Sequence, residues 1–191
     1  WLHWSTRNDL GLIADNGVTV AHCPTVFMRR GIALQTFGGY LKAGINMGIG
    51  TDTYPHNYLE EMRNAGTVAR AVAGTVDDLN TSDIFNAATI GGAHALKRDD
   101  IGRLSVGAKA DLVLVDLKAP SMMPVREPLR SLVFVAGDRA IRDVQYKRGC
   151  VCDTDVVPVL AIRGVGRAAV PPGTWDDHAP SVCQKTDLLR P

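Results

Sequence analysis

The stretch Ile45-Asn46-Met47-Gly48-Ile49-Gly50-Thr51-Asp52 decides how the rest of this chain is read. Residues 45–50 predict a short strand that runs directly into Thr51-Asp52-Thr53. Gly48 and Gly50 leave room around the carboxylate. In parallel α/β sheets and barrels, chemistry collects at the carboxyl ends of the strands. A carboxylate in that place can bind a divalent metal and take a proton from metal-bound water. An aspartate there can equally cap the helix or turn that follows.

Upstream of this stretch, Leu10, Ile13 and Ala14 have helical spacing over residues 9–16, with Gly17 as a C-cap. Residues 18–23 predict a buried strand stopped by Pro24. Residues 31–43 predict a helix with Ile32, Leu34, Phe37, Tyr40 and Leu41 turned inward, closed by Gly44. The order helix, strand, helix, strand is the mark of βα units around a parallel sheet. Downstream, residues 59–72 predict a helix. A second is capped by Thr81 or Ser82 and carries Ile84, Phe85, Ala88 and Leu96 on one face. After Asp99-Asp100 the character changes. Residues 101–110 are rich in turn formers, and Asp111-Leu112-Val113-Leu114-Val115-Asp116 is a strongly apolar strand. Residues 132–136 and 140–146 predict two more, with a turn at Gly137-Asp138. The expected organisation is a barrel-like α/β segment over 1–100, a small β unit over 101–148 and an irregular tail over 149–191, without internal repeats.

The composition narrows the partners. A hydrophobic share of 46% and a charged share of 21% over 191 residues suit a globular chain with a sizeable core. A net charge of +1 and the lack of a basic stripe argue against nucleic acid. No apolar run reaches the about 18 residues that a membrane helix needs. Trp1-Leu2-His3-Trp4 is no signal peptide, and the missing initiator Met points to a chain that begins inside a longer product. Cys23, Cys150, Cys152 and Cys183 are too sparse for a disulfide scaffold, and Cys150-Val151-Cys152 reads as two incidental thiols. The default compartment is the reducing cytoplasm.

Other residues compete for a role beside Asp52. His22 ends the preceding strand, thirty positions earlier, a fitting length for one strand-helix-strand unit. It either faces a common pocket or is a histidine satisfied by backbone. His3 and His56 can line a pocket mouth or be ordinary surface residues. Glu60-Glu61 opens a helix, where acidic residues suit the helix dipole. Arg29-Arg30 sits in an expected loop and can meet a polar or anionic substrate group, or water alone.

Several segments together resemble a known family. They are Val20-Ala21-His22-Cys23-Pro24-Thr25, Leu41-Lys42-Ala43-Gly44-Ile45-Asn46 and Gly48-Ile49-Gly50-Thr51-Asp52-Thr53, with residues 87–96 and the Gly107-Ala108-Lys109-Ala110-Asp111 element behind them. Over about residues 5–148 the chain is similar to the amidohydrolase superfamily, in the branch of chlorohydrolases, guanine deaminases and methylthioadenosine or adenosylhomocysteine deaminases. The resemblance implies the C-terminal part of a (β/α)₈ barrel plus strands of a small β-sandwich. It implies that Asp52 is both metal ligand and general base, for Zn²⁺ or Fe²⁺. It places His22 near the pocket, and the segment 24–31, with Thr25 and Arg30, along the substrate. His3 matches the histidine that polarises the attacked carbon only if the local alignment shifts. The family's HxH pair, its fifth-strand histidine and the nearby glutamate have no counterpart in the 191 residues.

The expected activity is a metal-dependent hydrolase that displaces an amino or halide group from a small heterocyclic molecule, or hydrolyses a C–N bond. The alternative is a non-catalytic fragment or subunit of such an enzyme, inactive alone, that pairs with a copy of itself or with a missing N-terminal half.

Overall fold

The computed structural model describes residues 5–34, 36–146 and 149–150. The expected tail lies outside the described residues apart from 149–150. The chain begins with helix α1 (Arg7–Asp15), strand β1 (Thr19–His22), helix α2 (Pro24–Arg29), helix α3 (Phe37–Lys42) and strand β2 (Asn46–Ile49). β1 and β2 pair in parallel, Thr19 opposite Asn46 and His22 opposite Ile49. The expected strand-helix-strand unit is therefore present, with two helices in its crossover rather than one.

The extra helix has a local cause. Pro24 ends the strand, as expected, but its fixed φ also suits the first position of a helix, and residues 24–29 form one instead of a loop. Gly31, at φ +68°, ends it. The predicted helix over 31–43 shortens to α3, because Thr36 is the residue that caps it, accepting the Gly39 N–H.

Helices α4 (Tyr58–Ala73), α5 (Thr81–Ala88) and α6 (Ile90–Ala95) follow. α5 is capped one residue earlier than expected, by Asn80, which forms a capping box with Asp83. The single helix predicted through Leu96 breaks at Thr89, whose φ and ψ are −125° and −86° and whose hydroxyl donates to the Phe85 carbonyl at 2.8 Å. The break lets α6 lie on β2 at backbone distance. A Cβ on Gly91 would stand 2.0 Å from the Met47 carbonyl oxygen. The Asn46 side chain stitches the same place, donating to Thr19 Oγ1 at 2.8 Å and to the Gly91 carbonyl at 2.9 Å.

Beyond residue 100 the expected small sheet is present and separate from the parallel pair. β3 (Leu112–Val115), β4 (Ile141–Tyr146) and β5 (Gly149–Cys150) are antiparallel in that order. Residues 132–136, predicted as a strand, are a correction: they lie mostly in helix α7 (Pro128–Phe134). A short apolar run cannot separate a buried strand from a buried helix, and here Pro128 at the first helical position starts a helix. Leu132 and Val133 are fully buried. α7 packs against α4 and α5 where Gly66 is bare: a Cβ there would meet Ile84 Cδ1 at 2.5 Å and the Phe134 ring at 3.1 Å. The Arg70 guanidinium lies 4.6 Å over that ring. One continuous core thus joins Phe37, Met47, Met62, Leu79 and Ile84 to Val113, Met122 and Leu132, each large side chain contributing about 2 kcal/mol by its burial. Among the described residues no helix is long and apolar enough to cross a membrane.

The two neighbouring glycines of α6 are expected to behave oppositely. Gly91→Ala drives a methyl into a strand carbonyl and should cost about 3 kcal/mol. Gly92→Ala meets nothing within 4 Å and should be neutral or gain up to about 1 kcal/mol from helix propensity. Urea titration of the two variants checks the contrast; equal stabilities would mean that the α6–β2 contact is looser than described.

Candidate active site

Strand alternation divides the candidate residues between two faces. Val20, Met47 and Ile49 are buried under the helices, and His22, paired with Ile49, is buried with them at 3% exposure. Its ring lies edge-on to Phe27 at 5.7 Å and to Phe37 at 5.6 Å between centroids. Nδ1 of His22 is buried with no hydrogen-bond partner among the described residues. Burial pushes the imidazole down to about 4. His22 is thus a neutral ring in an aromatic setting, packed in the core of the described residues.

The opposite face carries Thr19, Ala21, Asn46, Gly48 and Gly50, and its strand ends lead to Cys23 and Asp52. A Cβ on Gly50 would sit 3.4 Å from Cys23 Sγ. Burial raises the Cys23 thiol above its ordinary range, and the negative charges of Asp52 and Glu61 push it further the same way. Cys23 is therefore a neighbour of Asp52 that sequence reasoning did not single out.

Asp52 is exposed, with φ +47°, a left-handed conformation that aspartate tolerates better than most residues. It sits in an exposed turn with two ties. Thr51 Oγ1 and His56 Nδ1 share a hydrogen bond at 3.0 Å. Arg29 Nη1 donates to Thr53 Oγ1 at 3.1 Å and to the Tyr54 carbonyl at 2.7 Å. The helix after it has its own cap, since the Asn57 side chain accepts the Glu60 N–H at 3.1 Å. Asp52 is not that cap.

Glu61 was expected to serve only the helix dipole. Instead its side chain is buried, 1% exposed, and Oε2 accepts the Thr25 N–H at 3.1 Å. Burial raises its pKa, with the bonds from Thr25 opposing the rise. Asn64, one turn along, donates to Thr25 Oγ1 at 3.0 Å. Thr25 is consequently buried and tied to α4 by both its N–H and its hydroxyl. Tyr58 closes the floor. Its hydroxyl donates to the Ile49 and Ala88 carbonyls, and burial, with the charges of Cys23 and Glu61, pushes it up to about 12. Arg30 is exposed at the C-cap of α2. His3 lies outside the described residues.

This arrangement can be set beside known proteins. The amidohydrolase family model matches residues 1–148. The chain belongs to the amidohydrolase family. It is 37% identical over 167 residues to a 5-methylthioadenosine/S-adenosylhomocysteine deaminase of Natronomonas pharaonis, covering 85% of this chain and 38% of that protein. The like-named deaminase of Nitratidesulfovibrio vulgaris is 32% identical over 165 residues, covering 81% and 37%. Among solved structures, a zinc-bound adenosine deaminase from Xanthomonas campestris superposes with a TM-score of 0.70 at 35% identity, over 74% of this chain and 34% of that one. A zinc complex of atrazine chlorohydrolase from Arthrobacter aurescens gives 0.68 at 28%, over 73% and 32%. The chain spans little more than a third of the length of the curated relatives it matches. These likenesses assign the chain to part of a barrel-type amidohydrolase fold.

A metal is tested against the residues themselves. Among the described residues no three His, Cys, Asp or Glu side chains gather where a metal ion could bind. By themselves the described residues do not assemble a metal site.

The buried histidine predicts an acid-sensitive fold. The unfolded chain takes up a proton near pH 6.5, while the folded ring resists it until about 4. The contribution is whole above pH 6.5 and is lost as pH falls from there through 4, up to about 3 kcal/mol in all. Urea midpoints measured from pH 7 to 4.5 should fall in the parent protein, and His22→Leu should flatten that slope. An unchanged slope would assign the acid sensitivity to another group.

Proposed function

We propose that this chain supplies the general-base side of a hydrolase acting on a heterocyclic C–N bond, in the manner of the nucleoside deaminases it resembles. The observation that supports this best is the place of Asp52: exposed, at the carboxyl end of β2, beyond two bare glycines and on a turn held from two sides. In this reading water adds to an sp² ring carbon that carries an amino group. The Asp52 carboxylate accepts the proton that water gives up and returns it to the departing nitrogen. The ring keeps the oxygen as a carbonyl, the other water proton ends on the adjacent ring nitrogen, and ammonia leaves. The half-buried Cys23 thiol beside it stays protonated, as does the half-buried Tyr58 hydroxyl near Cys23, and neither adds a competing charge. Arg30, exposed at the C-cap of α2, is a cation that a polar substituent of the substrate can meet.

A divalent metal, zinc in this reading, would take Asp52 as one ligand together with donors outside the described residues; when bound, such an ion acidifies water. That no three such donors gather among the described residues supports the second reading, in which this chain is inactive alone and completes its site with further protein or a second copy.

Asp52→Asn in the complete enzyme is expected to lower kcat at least about a thousandfold while the fold is kept. The assay is ammonia release from 5-methylthioadenosine, S-adenosylhomocysteine, adenosine and guanine, and chloride release from atrazine. Wild-type turnover in the variant would remove Asp52 from the chemistry. Metal analysis and the same assay on the 191-residue chain by itself separate the two readings.

A further inference from the structure

Asp52 stands on an exposed turn, so something must hold it. Asp52, Tyr54, Pro55 and His56 are all exposed. No side chain of the turn anchors it by burial, and its conformation rests on hydrogen bonds. At its start the Gly50 N–H reaches the His22 carbonyl at 3.0 Å, the last rung of the β1–β2 ladder. Past Asp52, the tie that comes from another element is Arg29. One Nη1 serves two acceptors, the Thr53 hydroxyl and the Tyr54 carbonyl, so the guanidinium fixes both a side chain and the backbone just after the carboxylate.

Arg29 is itself held. It ends α2, a helix of six residues that would be marginal alone. The first turn of α2 is fastened to the sixteen-residue α4 through Thr25, which gives its N–H to Glu61 and receives the Asn64 amide. The path from α4 to α2 to the turn is made of direct bonds at every link. Its end point is the backbone of the residues that follow Asp52.

We infer that Arg29 is a positioning residue for Asp52, holding the left-handed turn that presents the carboxylate. The inference rests on the reading of Asp52 as the general base. It gives Arg29 a different part from the substrate contact that its place beside Arg30 suggests. Shifting a reacting group by about 1 Å is enough to cost about a hundredfold in rate. A loss of the clamp should therefore act on kcat, whereas loss of a substrate contact acts on KM.

The test uses Arg29→Ala and Arg29→Lys in the complete enzyme, with two readouts. The first needs no substrate. Amide exchange in a peptide spanning 50–56 should speed up about tenfold or more in Arg29→Ala, with peptides of α4 unchanged and Arg29→Lys between. The second is ammonia release from 5-methylthioadenosine. Arg29→Ala should lower kcat about ten- to a hundredfold with KM within about threefold, and guanidinium in the buffer should restore part of the rate. Unchanged exchange over 50–56 overturns the clamp. So does a raised KM with kcat intact, which would make Arg29 a substrate ligand. Asp52→Asn, run alongside, keeps the two readings apart. If that variant is dead while Arg29→Ala exchanges and turns over normally, the clamp alone fails. If that variant is active, the role of Asp52 fails and the exchange data still decide whether Arg29 holds the turn.

Discussion

The Glu61 carboxylate, buried on α4, accepts the backbone N–H of Thr25 where α2 begins. Removing a carboxylate from water costs several kcal/mol unless its oxygens are met by donors, and here the donors come from another helix. The bond therefore does two things at once. It makes burial of Glu61 tolerable, and it seats α2 across the carboxyl ends of the parallel strands. Phe27 then closes over His22, and Arg29 reaches the turn at Asp52. Without that seat, a six-residue helix has little reason to stay where it is.

The two faces of the β1–β2 pair divide stability from chemistry. The helix face is filled by Val20, Met47, Ile49 and the unprotonated ring of His22. The other face is nearly blank, with small or absent side chains at 21, 48 and 50. The carboxylate at 52 stands at the edge of this blank face. Side chains on the first face decide whether the unit folds. What comes to lie against the second decides what it can hold.

Much of this was readable from the residues. The strand into Asp52, the parallel βα order and the apolar strand at 112–115 all follow from short-range pattern, because each is announced by its own turn formers. The errors have a common cause. Glu61 and the segment 24–29 were judged by their neighbours in sequence, but their roles are set by partners across space. Glu61 looked like an ordinary first-turn acid because nothing local marks which of two adjacent glutamates meets Thr25. The burial of His22 was not legible because a short strand does not say which face is packed. The run at 132–136 was misread because apolar content alone cannot distinguish the two kinds of buried element, and Pro128 was the overlooked sign. The place of Asp52 was readable, while the clamp that holds it needed α2, a helix the sequence pattern hid behind Pro24.

The positive φ at Asp52 has an evolutionary side. A left-handed position screens residues by shape before charge enters: glycine and asparagine settle there readily, and branched side chains do not. The substitutions that the backbone accepts most easily at this position are thus ones that remove the carboxylate. With Asp52 as the base proposed above, descendants of this fold have a short path to a silent relative, intact in architecture and lacking the reaction, one residue away.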